Sequence, residues 1–72
     1  MPGSVYKVIE LVGTSADSWE DAAKTAVDTA RKSLRNLRIA EVAELDLQLA
    51  DDGSVAAYRA KIRVSFKHED SD

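Results

Sequence analysis

The chain has no cysteine, so neither a disulfide nor a thiolate metal site is available to it. Aromatic side chains are scarce: one Trp, one Phe and two Tyr, with a single Met beside them, and alanine supplies much of the 44 % hydrophobic fraction. At 72 residues the sequence reads as a single domain, 1–72. A domain this short buries only about 60 % of its unfolded surface. With little bulk to bury and no covalent staple, association with its own copies is the remaining common route to a complete core, and a homo-oligomer is expected. No apolar run approaches membrane-spanning length and the N-terminus carries no signal-like apolar segment, so no membrane partner and a cytoplasmic location are expected. A basic stripe is missing too. Charges of both signs are interspersed around a net −3, which argues against a nucleic-acid partner. Nothing resembles a nucleophile–base pair, a phosphate loop or a zinc motif, so no enzymatic activity is expected.

Periodicity defines the elements that are present. "VYKVIELVG" (Val5 to Gly13) is a β-branched, half-alternating run ending at glycine and reads as a first strand. "TSADS" then marks a turn and cap. From Trp19 the period becomes helical: Trp19, Ala22, Ala23, Ala26, Val27, Ala30, Leu34 and Leu37 share one face, and charged residues take the other. Ser18 is the expected N-cap, with Asp21 three residues on as a capping-box partner. Acid in the first turn and base in the last suit the helix dipole, and Glu20–Lys24 and Asp28–Lys32 have i,i+4 spacing. Small apolar side chains allow such a helix to lie very close to a sheet.

Strands two (about Ile39 to Leu49) and three (about Val55 to Lys67) flank a loop at Asp51 to Ser54. In the second, Ile39, Ala43, Leu45, Leu47 and Leu49 are odd-numbered; in the third, Ala56, Tyr58, Ala60, Ile62, Val64 and Phe66 are even-numbered. One apolar face requires odd to pair with even. That sets Leu47 opposite Tyr58 and Ala43 opposite Ile62, with Asp46 opposite Arg59 and Glu44 opposite Lys61 on the other face. Opposite charges directly across a strand pair are favourable, at about 0.2–1 kcal/mol. The order is therefore β-α-β-β: an α+β protomer with a three-stranded antiparallel sheet partly wrapped round one helix and strand three in the middle. The polar face must meet water, ions or another subunit.

Several residues invite a functional reading beside a structural one. Asp51, Asp52 and Gly53 begin like a calcium loop, but the further acids and the closing glutamate of an EF-hand are missing, which favours a hairpin turn. His68 has no second ligand partner and reads as a solvated strand end. The row Arg59, Lys61, Arg63 and Lys67 would suit an anionic guest such as a nucleotide phosphate, yet the facing acids favour a structural role. Trp19 heads the helical stripe and reads as core or interface before stacking platform. Glu41 is read on the apolar side, as a ligand or an intersubunit ion-pair partner.

Taken together, "VYKVIELVGTSADSWEDAA", a helix, "IAEV" and a closing "YRAKIRVSF" resemble the dodecins over nearly the whole chain. The resemblance implies hollow dodecamers, most of which bind flavins in pairs near two-fold axes. It places a flavin-stacking tryptophan at the position of Ile39 and a ring-edge glutamine at that of Arg59, so the flavin-binding positions are degenerate here. Isoleucine has no π face, and arginine only donates. An arginine that assists a cofactor phosphate in several bacterial members is replaced by Asp46. The chain is most similar to the calcium dodecin branch, which lacks that tryptophan. On that resemblance Asp17 and Glu44 match metal-binding positions, and Ca²⁺ or Mg²⁺ is the implied ion. From charge pairing alone, Asp17 supports the helix N-terminus and Glu44 pairs with Lys61. The implied function is a dodecameric store or binder of metal ions or a small-molecule guest, with riboflavin or FMN binding as the alternative.

Overall fold

The computed structural model describes residues 3–68. Four elements follow the expected order: β1 (Tyr6–Ser15), α1 (Trp19–Ala30), β2 (Leu37–Leu49) and β3 (Val55–Lys67). In the sheet they lie as β1-β3-β2, with β3 antiparallel to both neighbours. No helix among the described residues is long and apolar enough to cross a membrane. Residues 69–72, the polar end of the sequence, lie outside the described residues.

The β1–α1 turn is built from short oxygen side chains. Ser18 has extended backbone angles, and its Oγ accepts the Asp21 N–H at 3.0 Å, which is the expected cap. Asp21 does not complete a capping box. Its carboxylate accepts the Ser15 hydroxyl at 2.7 Å, while Ser15 Oγ accepts the Asp17 N–H at 2.9 Å. The helix then lays Ala22, Ala26 and Ala30 on the sheet, above Gly13 of β1 and its cross-strand partner Ala60. A Cβ on Gly13 would collide with the Ala22 carbonyl oxygen and meet the Ala26 Cβ at 3.0 Å. Small residues thus permit the close approach, and Ile62 and Val64 provide the bulk at its centre, flanked by Ile9, Leu11, Val27 and Leu37.

The helix is shorter than its apolar stripe. After Ala30 the N–H groups of Lys32 and Ser33 bond three residues back, to Thr29 and Ala30 at 3.2 and 3.1 Å, a tightened last turn. Asn36, in the left-handed region at φ 62°, redirects the chain. Leu34 is therefore not helical and Leu37 opens β2. No cation lies in the last helical turn, and Asp28 meets Arg31 at 3.7 Å instead of the expected Lys32.

The hairpin turn is 50–54, the segment left between the two expected strands. Ala50 N–H bonds Ser54 O at 2.8 Å, and Asp52 accepts both the N–H and the hydroxyl of Ser54 at 2.9 and 2.6 Å. Gly53 adopts φ 87°. Asp51, Asp52 and Gly53 thus form a turn. Beyond it the register is the expected one: Leu47 faces Tyr58, Asp46 faces Arg59 and Glu44 faces Lys61. A bulge then intervenes between Val42 and Glu44, so Val42, not Ala43, lies opposite Ile62. One extra residue reverses the alternation of everything before it. Ile39 and Glu41 consequently share the outer face, away from the helix, with Ser65 and Arg63; both had been expected on the apolar side.

The helix packs on β1 and β3 and barely reaches β2. On the inner face of the hairpin Leu45, Leu47 and Leu49 remain 50 %, 41 % and 59 % exposed. The hairpin runs out beyond the helix. It gives a longest dimension of 57 Å and a radius of gyration of 15.1 Å, against about 11 Å for a compact domain of this length.

Candidate functional site

The outer face of the sheet carries a ladder of charges in which β3 supplies the cations and both neighbours the acids. Arg59 holds Asp46 with two hydrogen bonds, Nε to Oδ1 at 2.7 Å and a second guanidinium nitrogen to Oδ2 at 3.0 Å. Lys61 Nζ meets Glu44 Oε1 at 3.4 Å. Arg63 donates to Glu10 at 2.9 Å and reaches Glu41 at 3.7 Å. The hydrogen bond from Arg59 holds the Asp46 carboxyl below the ordinary carboxylate range, with further attraction from the Arg59 and Lys61 charges. The same bond raises the guanidinium of Arg59, and the Glu10 bond raises that of Arg63. Three members of the basic row are thus engaged by acids, as the structural reading expects. Glu41 is paired within its own chain, on the face opposite to the one expected.

Asp17 and Glu44 are not brought together in one chain. Asp17 lies exposed in the β1–α1 turn on the side of the helix; Glu44 projects from the outer face and is 67 % exposed. Among the described residues no three His, Cys, Asp or Glu side chains gather as a metal-ligand group. As donors both fit a hard cation, since each offers a surface carboxylate.

Ile39 and Arg59 share the outer face but are separated along it. Ile39 lies opposite Ser65 and Arg59 opposite Asp46, a separation on β3 of about 20 Å at about 3.3 Å per residue. The Ile39 side chain is 66 % exposed. Within one chain the two positions do not form a pocket. Trp19 is a tie rather than an open platform: its indole N–H donates to the Asp46 carbonyl at 3.0 Å, and its ring meets Tyr58 edge-on at 5.2 Å. His68 continues the β1–β3 ladder through an N–H bond to Val5 O at 2.8 Å.

Sequence reasoning missed two features. Glu10 was not recognised as a partner of Arg63, because the pair spans the β1–β3 register, for which the hairpin pattern holds no information. A shallow cleft at the far end of the sheet gathers Lys7, Arg35, Lys67 and His68 from separate segments; no spacing in the sequence signals it.

The family model for dodecins matches residues 5–69. The chain belongs to the dodecin family. Calcium dodecin of Mycobacterium tuberculosis is 50 % identical to it over 64 residues, 89 % of each chain. The crystal structure of that calcium dodecin aligns with a TM-score of 0.81 at 48 % identity, covering 96 % of this chain and 97 % of the other. The dodecin of Thermus thermophilus is 41 % identical over 69 residues, 96 % of this chain and 99 % of its own. The dodecin structure from Streptomyces coelicolor gives a TM-score of 0.88 at 37 % identity, covering 99 % of this chain and all (100 %) of that one. Family, β-α-β-β topology and central β3 are those expected from the sequence.

Proposed function

We propose that this member of the dodecin family is a dodecameric binder or store of a hard divalent cation, Ca²⁺ or Mg²⁺. Asp17 of one chain and Glu44 of another supply carboxylate ligands, and backbone carbonyls and water complete the oxygen shell that such ions take. The role is binding rather than catalysis. The observation that carries this reading is Glu44 itself: an exposed carboxylate held, among the described residues, by one lysine at 3.4 Å, in a chain 50 % identical to a protein named calcium dodecin. Ile39 supports it from the other side. An aliphatic side chain offers no ring face to a flavin, and a stacked aromatic pair is worth about 0.5–1.5 kcal/mol.

Self-association has independent support. The inner face of the hairpin exposes a row of leucines that its own helix does not cover, and a lone chain would present that row to water. Closure into a shell covers it and brings distant acids of different chains together.

Calorimetric titration with CaCl₂ tests the metal reading. The double substitution Asp17→Asn, Glu44→Gln is expected to abolish or strongly weaken uptake while leaving the assembly intact; unchanged uptake removes both residues from the site. In parallel, riboflavin and FMN fluorescence is expected to stay unquenched up to tens of micromolar protein, which corresponds to about −6 kcal/mol. Quenching below that concentration would favour the flavin alternative.

A further inference from the structure

We propose that Lys61 is a built-in competitor for the cation site, an internal counter-ion that Glu44 must release before it ligates a metal. The proposal rests on the metal reading above and names what regulates that site.

The outer-face carboxylates are not held alike. Asp46 is gripped by a planar guanidinium through two bonds at 2.7 and 3.0 Å. Glu10 and Glu41 share a second guanidinium. Glu44 alone among these four faces a lysine, with a single contact at 3.4 Å in a pair whose side chains are 39 % and 67 % exposed. An ammonium on a flexible stem is a point charge that can leave one geometry for another, whereas a fork of fixed donors is not easily displaced. Glu41, at 3.7 Å from Arg63, is also loosely held, but Glu44 is the carboxylate whose counter-ion is a flexible lysine, and it is the one the metal reading uses.

A divalent ion arriving at Glu44 meets Lys61 twice over. It must displace the ammonium from Oε1, and it is repelled by the same charge if the ammonium stays. Both effects weaken uptake, and both fade as salt screens the face. Exposed pairs of this kind couple by up to about 1 kcal/mol, which is about a fivefold change in affinity.

The test compares Lys61→Met, Lys61→Arg and Glu44→Gln in the full-length, assembled protein by calorimetric titration with CaCl₂ at low and high NaCl. Lys61→Met is expected to tighten Ca²⁺ uptake about fivefold at low salt, with a smaller gain at high salt. Lys61→Arg, which can grip Glu44 through two donors, is expected to loosen it. Opposite shifts from two substitutions at one position separate competition from a merely structural role. As a second readout, the Lys61 side-chain ¹⁵N resonance is expected to move when Ca²⁺ is added to the native protein. If Glu44→Gln abolishes uptake while both Lys61 variants match the native affinity, the competition is refuted and the metal site stands. Native uptake in Glu44→Gln would refute the site and the competition together.

Discussion

Asp46 illustrates how much a single cross-strand pair determines. Its carboxylate lies opposite Arg59 and accepts two hydrogen bonds from it, and its carbonyl accepts the indole N–H of Trp19. Because the Arg59 bond lowers the Asp46 pKa, the pair favours the folded state above the unfolded carboxylate value of about 3.9, and that contribution is lost as pH falls through the lower folded value. Arg59 stays charged throughout, its pKa being raised. Asp46→Asn is expected to lower the urea midpoint at neutral pH. The difference from the native protein should vanish toward the acid end of the titration; a gap that persists there would mean packing, not charge, is responsible. At this scale the sequence was informative where both partners lie on one hairpin: opposite charges at odd and even positions marked Asp46–Arg59 and Glu44–Lys61. The Glu10–Arg63 bond joins residues 53 apart, and depends on a third strand whose register no local pattern records.

Among the elements, the helix–sheet contact is limited by backbone rather than by side chains. Gly13 lies directly under the Ala22 carbonyl, and a main-chain oxygen in a helix cannot rotate aside as a side chain can. Gly13→Ala is expected to destabilise the fold by about 3 kcal/mol, the upper part of the usual range for overpacking, measured as a lower thermal or urea midpoint. A neutral outcome would show that α1 can lift from β1 at little cost. The alanine-rich face announced this close approach in the sequence. The end of the helix was less legible: Leu34 and Leu37 keep the helical spacing, but one lies past the helix and the other starts a strand. Periodicity registers apolar residues without recording which element buries them. The bulge at Ala43 left a trace that strict odd-even pairing passes over: "EVAEL" sets two apolar residues side by side and alternates only when Ala43 is skipped.

For the molecule as a whole, the leucine row is decisive. A chain 57 Å long with a radius of gyration of 15.1 Å presents more apolar surface than one helix can cover. Native mass spectrometry at micromolar concentration is expected to find the assembled form. The pair Leu45→Glu and Leu47→Glu should break it into smaller species, because charge on that row must then be desolvated to associate. An intact assembly in the double variant would place the interface elsewhere, and a stable native monomer would overturn the oligomeric reading altogether. The candidate metal positions belong to this scale as well. Asp17 and Glu44 are surface groups on separate sides of one chain, so the proposed pairing of the two is a property of the assembly.

The sequence by itself determined the order of elements, the capped start of the helix at Ser18, the central place of β3 and the charge pairs nearest the turn, because each follows from short-range periodicity or from complementary residues on adjacent strands. Only the tertiary structure decided where α1 ends and that Ile39 and Glu41 face outward. Those outcomes turn on a bulge and on which surface the helix covers, and both are settled by packing between segments distant in the chain.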